Sequence, residues 1–471
     1  MTELYKTVEN TLFFDDINLE KDIAKKYGTP TFVFSARKIK ENINQFKENF
    51  VKKYENTIIA YSMKNNFIPE ICSLIADEIN LFEISSLLEL KIIEKIILKK
   101  RKDLAVISTN IYKPNGFIQE VLEFQKSKDI IGTQKIPESY FAIDSYEDFN
   151  NIENVAKKTE IKPKVMVRVN PGIKMDRKKT IFAAAEISAK CGLVINDTNS
   201  IINASNKIID HDWFNTRIQQ PKQDNAEFIL SKAYESKYLD LVGVHFHLGS
   251  QITEMPYFDH FFKIASIFYK LMNEKFQGKL ELLDFGGGYP IKYGGEKEIP
   301  SLKDISESLI TNLKNANIQP TIILESGRYI TANAGVLLTK VNLTKEISTG
   351  KKIAVLDLSV YSELLDVLTA NWHYDFSLVN ALPSNNLKIA NWSLVGETND
   401  ILDKISSQSN QQNSIDKSYS NVFPRNLVKD DLIAIKNTGA YTTCFNSHYG
   451  GRPYPIKLLI KSDVKRTIKE L

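Results

Sequence analysis

Short β-rich runs alternate with amphipathic helical runs through the first two-thirds of the chain, and this alternation constrains the fold more than any other feature. The strand candidates are TPTFVFS, TIIAYSMK, LFEIS, AVIST, SYFAID, KVMVRVN, LVGVHFHL, LELLDFGG and TIILES, and helical runs such as YEDFNNIENVAKK separate most of them. Strands that alternate with helices indicate βαβ units and a parallel sheet. About eight such units over roughly 300 residues fit a (β/α)8 TIM-like barrel better than an open sheet.

After about Ala334 the pattern changes to strand candidates joined by polar turns, which is typical of a β domain. We therefore predict an α/β protein with a barrel over residues 33–335. A β-sandwich or barrel-like domain over residues 336–471, completed by the N-terminal segment 1–32, is expected beside it. Two polar segments, 196–225 and 406–421, are expected to be insertions or mobile loops.

The charge balance and the cysteine count exclude several classes of protein. Lys and Arg total 61 against 57 Asp and Glu, and a net charge of +4 is too small to predict a nucleic-acid partner. Cys72, Cys191 and Cys444 lie far apart and form no C-x-x-C pair, and the six histidines form no metal-binding pattern, so no metal is expected. The first 22 residues lack a signal-peptide pattern and no apolar run approaches about 18 residues. We therefore expect a cytoplasmic protein with no membrane partner.

Several short motifs follow strand candidates and together describe one kind of chemistry. Lys64 closes an apolar run, DFGGGYP ends a strand with three glycines whose amides can cradle a phosphate, and ESGR ends another strand with an acid and an arginine. HFHLGSQ places His245 and His247 on one strand face. Singly, each motif has an ordinary explanation as a solvated lysine, a flexible turn, an exposed ion pair or core histidines. Together, at the C-terminal ends of barrel strands, they predict a pyridoxal phosphate pocket.

These motifs resemble, in order, those of the alanine-racemase-like, or fold type III, pyridoxal-phosphate-dependent amino-acid decarboxylases. That family includes the diaminopimelate, ornithine/lysine and arginine decarboxylases, and the resemblance runs from about Thr29 to Pro455. AYSMKNN is similar to the family's Y-A-V-K-x-N segment, which implies that Lys64 holds the cofactor covalently. The resemblance implies these further cofactor-binding residues: Glu83, Arg168, His247, Ser250, Gly286, Gly287, Gly288, Glu325, Gly327, Arg328 and Tyr441.

Within this resemblance, His247 matches the histidine that stacks on the pyridine ring and Glu325 the acid at the ring nitrogen. Arg168 matches the arginine that pairs with that acid, and Glu83 stands where an aspartate is usual. The phosphate contacts implied are Ser250, the three glycines, Arg328 and Tyr441. A racemase is the weaker resemblance, because the GAYT segment and the long C-terminal β domain are closer to the decarboxylases.

One loop departs from the family pattern. Decarboxylases of this group carry V-G-P-x-C-[DE]-x-x-D, in which the cysteine donates the Cα proton and the next acid binds the distal ammonium of the substrate. This chain has LVGETNDILD, which places Asn399 at the cysteine and Asp400 and Asp403 at the two acids. A shifted register would place Gly396 and Glu397 there instead. Asparagine cannot act as an acid at neutral pH, so the usual proton donor is absent in either register.

Three hypotheses follow from the missing cysteine. Water or another side chain protonates Cα, with Cys444 and His448 as candidates for which ordinary packing is the commoner role. Alternatively, protonation at an atom other than Cα diverts turnover toward transamination. The third hypothesis is that the protein is a non-catalytic, pyridoxal-phosphate-binding regulatory homologue. The last is disfavoured because Lys64 and Glu325 both remain.

The substrate pocket also differs from the family pattern. Asp400 favours a distal cationic nitrogen on the substrate. Arg452 lies near the arginine that grips a distal carboxylate in diaminopimelate decarboxylases, but with another spacing, and the usual R-P-x-L-Y-x-A-Y-H stretch is replaced by VLTANWHYDFSLVNAL. We expect a decarboxylase of a diamino acid or of a conjugated, for example citryl-, diamino acid in siderophore or polyamine synthesis. Diaminopimelate decarboxylation for lysine synthesis is the alternative, and the resemblance implies a homodimer with active sites at the interface.

Overall fold

The computed structural model describes residues 3–99, 103–129, 138–176, 182–205, 223–293, 298–348, 350, 352–370, 372–380, 390–406, 422–423, 426–461 and 466–471. They divide into two compact units, here called the barrel unit (Ile43–Pro290 and Glu298–Gly327) and the β unit (Met1–Asn42, Ile291–Lys297 and Arg328–Leu471). No helix in these ranges is long and apolar enough to cross a membrane.

The strands are numbered in chain order. They are β1 (Tyr5–Val8), β2 (Thr11–Phe14), β3 (Ile17–Asn18), β4 (Thr31–Ser35), β5 (Thr57–Ser62), β6 (Leu81–Glu83), β7 (Ala105–Ser108), β8 (Tyr140–Ile143), β9 (Lys164–Asn170), β10 (Leu193–Val194), β11 (Asp240–Phe246), β12 (Leu282–Asp284), β13 (Thr321–Ser326), β14 (Gly335–Glu346), β15 (Lys352–Leu356), β16 (Phe376–Leu378), β17 (Ala390–Asn391), β18 (Ser393–Val395), β19 (Val422–Phe423), β20 (Leu432–Lys436), β21 (Ile456–Ile460) and β22 (Ile468–Glu470).

The α-helices are numbered in the same way. They are α1 (Lys25–Tyr27), α2 (Ala36–Phe46), α3 (Pro69–Ile75), α4 (Leu87–Lys99), α5 (Asn115–Asp129), α6 (Tyr146–Thr159), α7 (Thr198–Ala204), α8 (Ala226–Glu235), α9 (Met255–Lys275), α10 (Leu302–Ala316), α11 (Arg328–Thr331) and α12 (Leu365–Ala370). Two π-helical turns cover Leu19–Ala24 and Lys47–Val51, and 3-10 turns cover Met63–Asn65, Ala332–Ala334 and Tyr449–Gly451.

Eight parallel strands close the barrel unit on itself. The order is β5-β6-β7-β8-β9-β11-β12-β13, and β13 pairs with β5 in register Glu325↔Ala60, so these strands leave no free edge. Side chains from alternating strand positions fill the interior, among them Ala60, Met166, Leu282 and Ile323. Full burial of each large one contributes roughly 1.5–3 kcal/mol. Because the strands are parallel, all their C-terminal ends lie at one rim, where (β/α)8 enzymes place their active sites.

The β unit is built around a second sheet of order β16-β20-β14-β4-β21-β22, to which β15 and β18 are added beside β14. β14 runs antiparallel to β4 and β20, while β21 runs parallel to β4. Its core contains Phe14, Val33, Leu338 and Ile460, which come from both ends of the chain. The prediction of an α/β barrel with a C-terminal β domain completed by the N-terminal segment is therefore confirmed.

One boundary differs from the expectation, and two expected segments lie largely outside the described residues. The expected boundary at residue 33 falls inside β4, whose five buried residues pair with β14 and β21 of the β unit. A fully buried strand has the same apolar pattern in either sheet, so the pattern does not reveal its partners. The polar segments 196–225 and 406–421 lie largely outside the described residues, although Thr198–Ala204 within the first is helical.

Candidate cofactor site

Lys64 stands at the rim of the barrel, in the 3-10 turn that directly follows β5. Its Nζ forms an ion pair with Glu83, which ends the neighbouring strand β6. Glu83 is buried, and its Oε1 accepts a hydrogen bond of 3.1 Å from Thr109 Oγ1, whereas the Lys64 side chain is 39% exposed. A fixed carboxylate therefore orients an accessible amine, which is what a lysine that bonds a carbonyl compound requires.

Two histidines project from the end of β11 with nearly parallel rings. The ring centroids of His245 and His247 are 6.5 Å apart, with 14° between the planes. His247 Nδ1 accepts a 2.9 Å hydrogen bond from the Gly287 amide. Burial, followed by the charge of Arg168, lowers the pKa of both rings well below the usual range, so both are neutral at pH 7. A neutral His247 with Nδ1 as acceptor carries its proton on Nε2 and has a fixed plane.

The glycines after β12 are required by close backbone approach. Gly286 has a φ of 62°, and a Cβ there would overlap His247 Nδ1. A Cβ on Gly287 would lie 2.6 Å from the Glu325 carbonyl oxygen. Gly288 has a φ of 121°, and Ser250 lies in the loop after β11, where its amide donates to the Phe182 carbonyl over 3.1 Å. The loop thus packs bare backbone against the histidine and the acid.

Two buried carboxyl groups lie beside this loop. Glu325 in β13 is 2% exposed and Asp284 at the end of β12 is fully buried. The Gly286 amide donates to Asp284 Oδ1 over 2.7 Å, and Glu325 Oε1 lies 3.6 Å from His245 Nε2. Burial, and then the charge of Glu325, raises the pKa of Asp284 well above its usual range.

Arg168 in β9 approaches the same rim. Its Nη1 donates to the Thr109 carbonyl over 2.7 Å and lies 3.5 Å from Asp144 Oδ2. Burial raises the pKa of Asp144 to about 6. Behind Asp144, the fully buried pair of Lys113 and Asp148 joins through a 2.7 Å hydrogen bond. A chain of alternating charges therefore holds the Arg168 guanidinium in place.

The residues at this rim fit pyridoxal phosphate. Glu325 Oε1 is buried without a hydrogen-bond partner among the described residues, so an N–H donor, such as a protonated pyridine nitrogen, would satisfy it. Lys64 offers the amine and His247 a flat neutral ring. Gly288 offers a backbone amide with no side chain in the way, whereas the amides of Gly286 and Gly287 donate to Asp284 and His247. Gly327 is also sterically required, because a Cβ there would lie 2.7 Å from Asn65 Nδ2.

In the β unit, aromatic rings surround Arg328, which begins α11. The guanidinium carbon lies 4.7 Å from the Trp372 ring centroid and 4.5 Å from that of Tyr441, and Nη1 donates to Tyr293 Oη over 2.8 Å. Arg328 is 7% exposed, so the rings hold a buried guanidinium in one orientation. Tyr441 has a φ of 58°, an uncommon conformation for a residue other than glycine.

The loop that departs from the family pattern also lies in the β unit. Asn399 is exposed at its tip, and Asp400 accepts hydrogen bonds from the Leu402 amide (2.8 Å) and Tyr449 Oη (3.1 Å). Asp403 is buried and accepts from the Val360 amide and Thr398 Oγ1. Asp403 therefore shapes the base of the loop, while Asp400 is the acid nearer its surface.

The predicted carboxylate clamp already has an acidic partner. Arg452 Nη1 forms an ion pair with Glu397, and Nη2 donates to the Asp357 carbonyl over 2.8 Å. A distal carboxylate of a substrate would have to compete with Glu397 for this guanidinium.

Sequence reasoning missed several groups near the barrel rim. Asp284, Asp144, Lys113 and Asp148 were not predicted, and His245 was treated as an ordinary core histidine. For two of them, the position in the sequence was a signal. Asp284 lies just before the glycine run, and His245 lies two residues before His247. The network of Lys113 and Asp148 has no such signal, because its members are 35 residues apart in sequence.

Comparison with known proteins identifies the family. The model of the pyridoxal-dependent decarboxylase pyridoxal binding domain matches residues 36–210 and 217–332. The diaminopimelate decarboxylase of Staphylococcus aureus is 27% identical over 97% of this chain and 94% of its own length. The crystal structure of the diaminopimelate decarboxylase of Methanocaldococcus jannaschii superposes with a TM-score of 0.79 at 23% identity, covering 99% of this chain and 94% of that one.

A second solved structure broadens the comparison. The lysine/ornithine decarboxylase of Vibrio vulnificus, complexed with putrescine, has a TM-score of 0.68 at 17% identity, covering 94% of this chain and 97% of that one. The family model spans well over half of the chain, and the rim residues fit the cofactor that its description names. The chain therefore belongs to the fold type III pyridoxal-phosphate-dependent decarboxylases, a family of carboxy-lyases whose cofactor is pyridoxal 5′-phosphate.

Proposed function

We propose that this protein decarboxylates a diamino acid or a conjugated diamino acid, such as an N-citryl diamino acid, to the amine and CO2. The observation that carries the decarboxylation is the barrel rim, where an accessible Lys64 amine and a buried, unsatisfied Glu325 oxygen flank the glycine loop. An amine for a carbonyl compound and an acid for a ring nitrogen are the two groups that pyridoxal phosphate chemistry requires of a protein.

Each rim residue has a proposed role. Lys64 would hold pyridoxal phosphate covalently, Glu325 would accept from its ring nitrogen, and His247 would cover one face of its ring. Glu83 orients Lys64, and the positive charge of Arg168, which pairs with Asp144, favours an ionised Glu325. The groups proposed for the phosphate are Ser250, Gly288, Gly327, Arg328 and Tyr441, while Gly286 and Gly287 allow the close approach of the loop that positions them. Bound pyridoxal phosphate supplies an electron sink for the pair left behind when the substrate carboxylate departs as CO2.

The proton that replaces the carboxylate must come from a group other than Asn399. The bond from Cα to the carboxylate carbon breaks, CO2 leaves, and a proton is added at Cα. An exposed asparagine amide is no acid, so we propose water or another side chain as the donor. Cys444→Ala and His448→Gln test the two candidates that follow Tyr441 in the sequence. His448 Nδ1 is within 2.8 Å of the Arg452 carbonyl, and we expect turnover to survive both replacements.

The pairing of Arg452 with Glu397 supports a substrate other than free diaminopimelate. A guanidinium neutralised by a fixed acid is a poor receptor for a substrate carboxylate. Asp400 retains its charge, because the hydrogen bond from the Leu402 amide lowers its pKa. Near it, Tyr361 and Tyr449 have ring centroids 4.3 Å apart. A carboxylate beside aromatic faces suits the distal ammonium of a diamino acid.

Release of CO2 across a panel of substrates tests this proposal. The panel contains meso-diaminopimelate, ornithine, lysine, arginine and N-citryl diamino acids, with Lys64→Ala as the blank. We expect turnover of ornithine, lysine or a citryl conjugate, and Asp400→Asn should lower kcat/KM for that substrate by about 10-fold or more. Turnover of meso-diaminopimelate and of no other member of the panel would contradict the proposal of a conjugated substrate. It would instead support diaminopimelate decarboxylase, which the names of the relatives favour.

A non-catalytic regulatory homologue is the candidate of another class. Such a protein would bind pyridoxal phosphate on Lys64 and release CO2 from no member of the panel. The retention of Glu325 beside Lys64 opposes this candidate, because an acid at the ring nitrogen serves the electron sink of catalysis rather than binding alone.

We also propose that the enzyme works as a homodimer. Ile401 and Leu402, beside Asn399 on the loop, are 80% and 52% exposed, which is costly for apolar side chains in water. A second copy of the chain would cover them. Light scattering should give twice the chain mass, and Ile401→Asp should shift it toward the monomer. A fully active monomer would contradict this proposal.

A further inference from the structure

Three side chains at the ends of adjacent barrel strands form a buried polar cluster. His245, Asp284 and Glu325 each place one ligand atom within 4.8 Å of the others, and all three are at least 98% buried. Asp284 Oδ2, Glu325 Oε1 and both ring nitrogens of His245 lack hydrogen-bond partners among the described residues. Buried polar groups are normally satisfied, and a proton carried by one of these oxygens would satisfy two of them at once.

We propose that Asp284 and Glu325 share one proton, which Asp284 Oδ2 carries and donates to Glu325 Oε1. Asp284 is then the positioning residue for the acid that faces the ring nitrogen. The role of Glu325 at that nitrogen rests on the proposed function, whereas the shared proton does not.

The hydrogen bonds already made decide where the proton sits. Asp284 Oδ1 accepts from the Gly286 amide over 2.7 Å, which leaves Oδ2 as the oxygen free to carry a hydrogen. Two carboxylates that are buried this close together are not both ionised. Burial raises the pKa of both groups, and their mutual hydrogen bond raises that of Asp284 further while lowering that of Glu325. Asp284 is therefore the neutral partner at pH 7.

The charges around the pair favour one negative charge on Glu325. The cations of Lys64 and Arg168 both lower the pKa of Glu325. His245 is neutral, because burial and Arg168 lower its pKa. The remaining titratable groups that face the pair are the carboxylate of Glu83 and the hydroxyl of Tyr289. An ionised carboxylate oxygen has two lone pairs, so Glu325 Oε1 can accept from a protonated Asp284 and from a second donor at the ring nitrogen.

The stability of the cofactor-free protein tests the shared proton directly. A buried acid with a raised pKa binds its proton more tightly in the folded state, so it destabilises the fold as the pH rises above the acid's ordinary value. Asp284→Asn keeps a donor toward Glu325 and an acceptor toward Gly286 without this cost. We expect its urea midpoint to exceed that of the parent at about pH 8 and the gain to shrink toward about pH 5. Glu325→Gln removes the other acid of the pair and should show the same gain, because either replacement leaves a single acid.

The loaded enzyme provides the second measurement. Asp284→Ala removes the donor and should lower kcat/KM by about 10- to 100-fold, and Asp284→Asn should restore most of that loss. If Asp284→Asn does not accumulate as folded protein, Glu325→Gln carries the stability test alone. Absence of a stability gain in these variants, or equal loss of kcat/KM in Asp284→Asn and Asp284→Ala, would overturn the shared proton. A gain without any CO2 release would support the shared proton and contradict only the proposed function.

Discussion

Removal of the buried Lys113 charge should destabilise the barrel far more than removal of an exposed lysine. Lys113 Nζ donates to the carbonyls of Asn110 and Ala142 and to Asp148 Oδ2, each over 2.7 Å, and both charged side chains are 0% exposed. Lys113→Met leaves Asp148 as an uncompensated buried charge, which costs about 3–5 kcal/mol. In Lys113→Met/Asp148→Leu the two carbonyls and the Asp144 amide, which donates to Asp148, stay unsatisfied, and we expect a cost of about 1–3 kcal/mol.

Urea unfolding of the cofactor-free protein, followed by circular dichroism and fluorescence together, measures these costs and checks for intermediates. Lys91→Met is the control, because Lys91 pairs with Glu94 and Glu120 at an exposed surface, where ion pairs contribute about 0–1 kcal/mol. A cost below about 1 kcal/mol for Lys113→Met, or strict additivity of the two replacements, would refute the buried pair.

Three further predictions concern the loop, the pH dependence and the proton donor. Gly287→Ala should weaken cofactor binding and cost about 1–3 kcal/mol of stability, since its Cβ would meet the Glu325 carbonyl. Gly116→Ala, in α5 with open space around its Cβ, should lower neither, because a helix favours alanine over glycine; equal losses would contradict the steric argument. Burial raises the pKa of Glu363 to about 7, so the parent protein loses stability as the pH rises from about 4.5 through 7. By urea unfolding, Glu363→Gln should be about 2–3 kcal/mol more stable than the parent at pH 8 and no more stable than the parent at pH 4. Asn399→Ala should leave CO2 release within about threefold, because the amide donates no proton; a larger loss would assign it a direct role.

The barrel was predictable because its signal is repeated. Each buried strand followed by an amphipathic helix fixes one βα unit, and eight of them close a sheet that places Lys64, His247 and Glu325 at one rim. The partners of β4 were not predictable. Its run TFVFS is buried throughout, as the barrel strands are, and only tertiary pairing with β14 and β21 distinguishes them.

The candidate site was predictable where a residue belongs to a motif, and not where it acts through space. Glu325 and the glycines are read from ESGR and GGG. That Asp284 and Glu325 meet depends on the adjacency of β12 and β13, which lie 37 residues apart along the chain. The engagement of Arg452 by Glu397 likewise joins residues 55 positions apart, so the sequence shows an arginine near the expected place but not its partner.

Borohydride reduction of the cofactor-loaded protein, followed by peptide mass spectrometry, identifies the lysine that holds pyridoxal phosphate. Lys64, oriented by Glu83 at the barrel rim, is the lysine that we propose for this covalent bond. We expect a phosphopyridoxyl group on the peptide containing Lys64 and none in Lys64→Ala. A reduced group on another lysine, or none in the parent protein, would contradict the proposed role of Lys64.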